Sequence, residues 1–228
     1  MNAGTALNAV RIFVVTLGFP ILVAASAPEP LMAEETKPIT LVAFGDSLTA
    51  GYGVNAKDSF AAQLQMALQA KRHKVEIVNA GVSGDMTAGG LERLDWSLQP
   101  KPDGVILELG ANDALRGIDP KETRANLDKM LAVLKSKDID VLLAGMKSPS
   151  NWGPEYAKQF DAIYPDLAAK YHAALYPFFL EGVALDRTFV QSDGLHPTAM
   201  GVAEIVKRMT PDVETFLQHI RQRKTAGK

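Results

Sequence analysis

Ser47 follows the run Ile39-Thr40-Leu41-Val42-Ala43-Phe44, which Gly45 and Asp46 close with small turn formers. An apolar, β-branched run of that kind predicts a buried strand, and a hydroxyl just past a strand's carboxyl end can reach a ligand at the sheet edge. A serine remains a weak nucleophile until a base takes its proton. Of the four histidines, His73 lies in the basic turn Lys71-Arg72-His73-Lys74, while His172 and His219 fall on helical surfaces, where solvation is the expected state. His196 sits in the Gly- and Pro-bounded loop Asp193-Gly194-Leu195-His196-Pro197. There Asp193 can fold back on the imidazole, fix its tautomer and stabilise the imidazolium that forms. Acyl transfer to a serine also creates an oxyanion, which needs aimed donors. The backbone N–H groups of Ser47 and Gly84 and the side-chain amide of Asn112 are the candidates. Taken singly, each residue has an ordinary reading: Gly-Asp-Ser as a turn, Gly84 as a loop glycine, Asn112 as an Asx turn with Asp113. It is the set that points to nucleophilic catalysis.

The elements that must position these residues alternate between strand and helix. Phe60, Leu64 and Leu68 recur at helical spacing behind Asp58 or Ser59 as N-cap. Val75–Asn79 reads as a second strand running into the glycine-rich loop Ala80–Asp85. Leu91, Leu94 and Leu98 mark a helix ended by Pro100 and Pro102, and Gly104–Leu109 a third strand ending in Gly110-Ala111-Asn112-Asp113. Asp119-Pro120 opens a long helix with the apolar stripe Leu127, Met130, Leu131 and Leu134. Asp140–Ala144 is a fourth strand. A helix carrying Phe160, Ile163 and Leu167 follows, with a kink expected at Pro165. Ala174–Tyr176 is a short fifth strand, and Val202, Ile205, Val206 and Met209 mark a final helix, renewed or bent at Pro211.

This alternation predicts an α/β protein, a three-layer α/β/α sandwich around a mostly parallel sheet. In such a sheet the loops after strands one, two and three open on one edge, so Ser47, Gly84 and Asn112 converge. The loop Gly145–Tyr156 leaves the fourth strand at the same edge. Its Trp152 is a candidate substrate-binding wall, with packing beneath the loop as the alternative. The basic tail Arg221–Lys228 is expected to be solvated and frayed.

Composition bounds the rest. With 228 residues, 47% of them hydrophobic, one domain can bury about 70% of its unfolded surface. A net charge of −2 gives no reason to expect nucleic acid as a partner. The absence of cysteine excludes thiol catalysis, disulfides, thiolate metal sites and a lipid-modified N-terminus. Residues 1–33 read as a secretory signal peptide: Arg11 precedes an apolar run from Ile12 to Ala27 that is interrupted by Gly18 and Pro20, and small residues follow. Cleavage is expected after Ala33, with Ala27 as the competing site and an uncleaved anchor as the runner-up. That leaves residues 34–228 as a single periplasmic or secreted domain with no stable membrane anchor. No Walker loop, dinucleotide fingerprint or His-rich spacing is present, so no cofactor or metal is expected.

Four blocks, Phe44-Gly45-Asp46-Ser47-Leu48, Asn79–Asp85, Gly110-Ala111-Asn112-Asp113 and Asp193–Pro197, together resemble those of the SGNH (GDSL) hydrolases. More narrowly, Leu107–Asp113 with Leu115-Arg116-Gly117, Ser150-Asn151-Trp152-Gly153 and Ala162-Ile163-Tyr164-Pro165 are similar to the bacterial periplasmic acyl-CoA thioesterase I, lysophospholipase and arylesterase branch. The resemblance spans Ile39 to about Gln218, and it departs at Ala111, where the branch often has a second glycine. It implies a flavodoxin-like fold with Ser47 as nucleophile, His196 as base, Asp193 as its orienter, and Ser47, Gly84 and Asn112 as oxyanion donors. The implied activity is cofactor-free hydrolysis of small acyl esters and thioesters, lysophospholipids and aryl esters through an acyl-serine. The alternatives on the same fold are a carbohydrate O-deacetylase or an acyltransferase. A non-catalytic lipid-binding domain is less compatible with the full set of residues.

Overall fold

Ile39–Gly45 forms β1 at the centre of a five-stranded sheet, buried at every position but Thr40. It pairs in parallel with β2 (Val75–Gly81) on one side and β3 (Gly104–Glu108) on the other. Beyond β3 lie β4 (Asp140–Ala144) and β5 (Ala174–Tyr176), also parallel, giving the order β2-β1-β3-β4-β5. The largely apolar, buried runs of β1, β3 and β4 fit strands covered on both faces, whereas β2, at the edge, is exposed at Glu76, Val78 and Asn79. The computed structural model describes Met1 and residues 37–227. Apart from Met1, the segment expected to be a leader and both its cleavage sites lie outside the described residues. Among the described residues no helix is long and apolar enough to cross a membrane.

The helices lie on the two faces. After the short turn α1 (Ser47–Ala50), α2 (Phe60–Ala70) packs against the terminal helix. α3 (Thr87–Ser97), the turn α4 (Ala111–Leu115) and α5 (Pro120–Ser136) follow in order; α3 and α5 pack together on the opposite face. α6 (Pro154–Asp161) and α7 (Ile163–Tyr171) extend that layer, and α8 (Ala199–Ala226) closes the first one. The expected α/β sandwich is therefore present, with Leu64 and Leu68 of α2, Leu127 and Leu134 of α5, and Ile205 and Met209 of α8 in one core.

Several local expectations are corrected. The helix expected to kink at Pro165 is two helices that part at Ala162. Proline 165 has no N–H for the carbonyl of Asp161, the residue at which α6 stops. By contrast, α8 runs unbroken through Pro211, because Val206, Met209 and Val213 are buried on both sides of it. The basic tail is helical to Ala226 and tied down: Arg223 Nε donates to Asp140 at 2.9 Å and Lys224 Nζ to Asp103 at 2.5 Å. His73 of the basic turn is paired with Glu214 at 2.8 Å. Ser59 holds the N-cap position of α2, but its hydroxyl bonds back to the Ala56 carbonyl and caps nothing.

Candidate active site

The order β2-β1-β3 means that the chain leaves β1 to one side and returns on the other. The crevice at such a switch point, outside the strands' carboxyl ends, is where ligands bind in doubly wound sheets. Ser47 follows β1 and Asn112 follows β3, so the two flank that crevice. Ser47 is the first residue of α1, a single turn closed by Gly51 in the left-handed region at φ 86°. Asp46 caps it, its Oδ1 accepting the Leu48 N–H at 2.9 Å.

Across the crevice, His196 Nε2 lies 2.9 Å from Ser47 Oγ, and its Nδ1 lies 2.6 Å from Asp193 Oδ2. With Nδ1–H donated to Asp193, Nε2 is the nitrogen free to accept the serine proton. Asp193 Oδ1 takes the N–H groups of Leu195 at 2.9 Å and His196 at 3.1 Å. Those backbone donors, the Leu195 N–H foremost, and the imidazole hold the Asp193 carboxyl down at about 2. Gln191, which sequence reasoning missed, ties this loop to the Ser47 side: its Nε2 donates to the carbonyls of Tyr52 at 2.8 Å and Pro197 at 2.9 Å. The Tyr52 ring lies 4.5 Å from the imidazole. A glutamine in a loop carries no periodic signal, and only its partners identify it.

The candidate oxyanion donors differ in readiness. Neither the Ser47 nor the Gly84 N–H has an acceptor among the described residues, and Gly84 stands at φ 83° in the open loop after β2. Asn112 is placed as expected, on α4 behind Gly110, where a Cβ would lie 2.2 Å from the Tyr164 hydroxyl. Its amide, however, is engaged: Nδ2 donates to Asp46 Oδ2 at 3.0 Å and to the Asp85 carbonyl at 2.9 Å. The Asx turn with Asp113 does not form in its place. Asp113 is buried and accepts the Thr87 N–H at 2.9 Å, the Thr87 hydroxyl at 2.5 Å and the Thr123 hydroxyl at 3.2 Å, pinning α4 to α3 and α5.

Residues 43–203 match the model of the GDSL-like Lipase/Acylhydrolase family. The chain belongs to that family. It is 37% identical to Esterase TesA of Pseudomonas aeruginosa over 82% of this chain and 94% of that protein. It is 38% identical to Thioesterase 1/protease 1/lysophospholipase L1 of Escherichia coli strain K12, over 79% of this chain and 86% of that one. The solved structure of AlinE4, an SGNH-hydrolase family esterase, superposes with a TM-score of 0.68 at 46% identity, covering 80% of this chain and 98% of that one. The chain is an ester hydrolase of this family.

As in any acyl hydrolase, the acyl group needs a place to lie. A cavity of about 520 Å³ opens beside Ser47 and His196, walled by Leu48, Ala114, Leu115, Met146, Phe178 and Leu180. The segment after β5 was not singled out in the sequence, yet it supplies Phe178 and Leu180, whose runs are too short to show a period. Trp152 is not among the lining residues, which corrects the expectation of a substrate-binding wall. Its indole N–H donates to the Ala114 carbonyl at 2.7 Å and its ring packs on Gly117, so it braces α4 from behind.

Proposed function

We propose that this GDSL-family hydrolase cleaves single-chain acyl esters and thioesters, including lysophospholipids and aryl esters, through an acyl-serine intermediate. The observation that carries the reading is the Ser47–His196–Asp193 relay, at 2.9 and 2.6 Å, opening onto an apolar cavity. In the first half-reaction Ser47 Oγ attacks the ester carbonyl while His196 Nε2 takes its proton, and Asp193 stabilises the imidazolium. The carbonyl oxygen gains the negative charge and is met by the N–H groups of Ser47 and Gly84. Asn112 joins them by turning one Nδ2–H from the Asp85 carbonyl to the oxyanion. The tetrahedral species collapses, and His196 returns the proton to the departing alkoxide or thiolate. Water, deprotonated by His196, then attacks the acyl-serine and releases the acid by the same route.

The cavity walls bear on substrate. Each methylene removed from water contributes about 0.8 kcal/mol, so apolar walls favour an aliphatic or aryl acyl group over an acetyl group on a sugar. We further propose that the protein is exported to the periplasm or beyond, on the strength of the leader-like composition of residues 1–33. The test is labelling by a fluorophosphonate together with hydrolysis of a chain-length series of oxygen esters and thioesters. Wild type is expected to be labelled at Ser47 and Ser47→Ala to fall to background on every substrate. Turnover by Ser47→Ala at the wild-type rate would overturn the mechanism, and a wild type fastest on acetylated sugars would overturn the substrate class.

A further inference from the structure

Beneath the nucleophile turn lies an acidic side chain that the reaction leaves unused. Glu108 ends β3 directly across the ladder from Gly45, with no solvent exposure. Its Oε2 accepts the Thr49 hydroxyl at 2.7 Å and the Asp46 N–H at 3.3 Å, while Oε1 is buried with no hydrogen-bond partner among the described residues. Both donors belong to the turn that presents Ser47: Asp46 precedes the serine and Thr49 follows it. Gly45 leaves the room for this arrangement, since a Cβ there would lie 2.2 Å from Thr49 Oγ1 and 2.5 Å from Glu108 Oε2. Three positions are thus shaped around one carboxyl group.

Two acids, Asp46 and Glu108, share this buried floor, and they are not equally equipped to hold a charge. Asp46 has a donor on each oxygen, the Leu48 N–H at 2.9 Å and the Asn112 amide at 3.0 Å, and the His196 imidazole close enough to favour its anion. Glu108 has one oxygen with two donors and one with none. An anion there would leave a dry, unpaired oxygen beside a second negative charge, which costs far more than burying the neutral acid. The other titratable and charged groups around the pair do not change this. Arg93 of α3 is spent on Asp85 at 2.7 Å and on the Gly45 carbonyl at 2.8 Å, Asp113 of α4 is held by threonines, and Tyr164 of α7 donates to the Leu109 carbonyl at 2.9 Å. Burial first, and the Asp46 charge second, hold the Glu108 proton well above the usual carboxylate range.

Resting on Ser47 as the nucleophile, we propose that Glu108 is a positioning residue that stays uncharged: the neutral acid fixes the nucleophile turn through Thr49 and the Asp46 N–H, and the single buried charge, on Asp46, aims Asn112. Glutamine matches the neutral acid in shape and offers the same acceptor, whereas alanine offers none.

The experiment compares Glu108→Gln, Glu108→Ala and Thr49→Val with wild type on a soluble short-chain ester, reading kcat, KM and the acid limb of kcat/KM. It adds infrared difference spectra of wild type minus Glu108→Gln at neutral pH. Glu108→Ala is expected to lose kcat roughly 10²-fold with KM held, the scale of an ångström-sized misplacement. Glu108→Gln is expected to recover most of that loss with the acid limb unmoved. Thr49→Val, which keeps the shape of the turn, is expected to lose kcat about tenfold, and it carries the test if Glu108→Ala does not fold. The infrared difference is expected to show a protonated-carboxyl C=O band. Loss of that band with an acid limb displaced downward in Glu108→Gln would show a charged Glu108 and overturn the proposal, as would a Gln variant as impaired as Ala. Wild-type kcat in both Glu108→Ala and Thr49→Val, with Ser47 still labelled by fluorophosphonate, would overturn this proposal alone. A wild type unlabelled at Ser47 would instead overturn the reading beneath it.

Discussion

Replacing Asn112 by alanine removes a side chain whose amide nitrogen already holds two acceptors, Asp46 Oδ2 at 3.0 Å and the Asp85 carbonyl at 2.9 Å. An oxyanion donor that is free in the resting enzyme contributes about 2.7–4 kcal/mol to kcat. Asn112 must first release the Asp85 carbonyl, a hydrogen bond with a net value of about 1 kcal/mol. The difference, roughly 2–3 kcal/mol, corresponds to a kcat loss of about 30- to 150-fold for Asn112→Ala. KM should hold, because the charge being met exists only in the transition state. A second effect comes from the other acceptor. Burial raises the Asp46 carboxyl to about 6, and the Asn112 amide is one of the groups that restrain that rise. Without it Asp46 should ionise at higher pH, an upward shift read by infrared or NMR titration of the carboxyl in Asn112→Ala against wild type. The assay is kcat and KM on a soluble ester across the acid and neutral range, for wild type and Asn112→Ala. A raised KM at constant kcat would make Asn112 a substrate-binding group, and an Asp46 titration that stays in place would refute its link to Asp46.

Two glycines of the site should respond to alanine for different reasons. At Gly84, φ is 83° but a Cβ would meet nothing within 4 Å, so Gly84→Ala should cost only the left-handed strain of about 1–2 kcal/mol, seen in thermal melts. Gly45→Ala would place a Cβ 2.6 Å from the Glu108 carbonyl oxygen, which is backbone and cannot swing away, and should lose folded protein outright. The Asp46 carboxyl predicts a pH dependence of stability. Its pKa is raised in the folded state to about 6, so its contribution is fully present below the ordinary value of 3.8 and is lost as pH rises through 6. Asp46 should therefore contribute a fall in the wild-type melting temperature through that window, bounded at about 3 kcal/mol, beside the fall that the protonated Glu108 adds as pH rises above its ordinary 4.5, and Asp46→Asn should remove only the first part. Asp193 has the opposite sign. Held at about 2, it favours the fold at neutral pH and loses that contribution progressively as pH falls from its ordinary 3.8 through 2, so it does not mask the other two acids, and a wild-type melt indifferent to pH between 4 and 7 would contradict the raised pKa of both Asp46 and Glu108.

What the sequence made legible was whatever turn chemistry and periodicity dictate locally. Gly45 ends β1, and Gly84 and Gly110 stand just past the ends of β2 and β3 at the same edge, which is why Ser47, Gly84 and Asn112 could be placed together before their distances were known. Trp152, read as a cavity wall or as packed beneath its loop, and His73, read only as part of a basic turn, could not be assigned partners for the same reason. A side chain's partner is chosen by direction in space, and spacing along the chain does not encode whether an indole points into a cavity or back onto Gly117. Glu108 is a different case, because its signal was present and local. It is the one acid in the apolar run Val105-Ile106-Leu107-Glu108-Leu109, and a charged residue type on a strand covered on both faces must either find a partner or give up its charge. The strand register then decides between those outcomes. Because Gly45 pairs with Glu108, the residue just past β1, Asp46, arrives over the same carboxyl group, and two buried acids meet beneath the serine. Two adjacent dry charges are untenable, so the placement of the donors decides which acid keeps its proton: the Leu48 N–H and the Asn112 amide meet one Asp46 oxygen each, whereas both donors to Glu108 fall on Oε2 and leave Oε1 with none among the described residues.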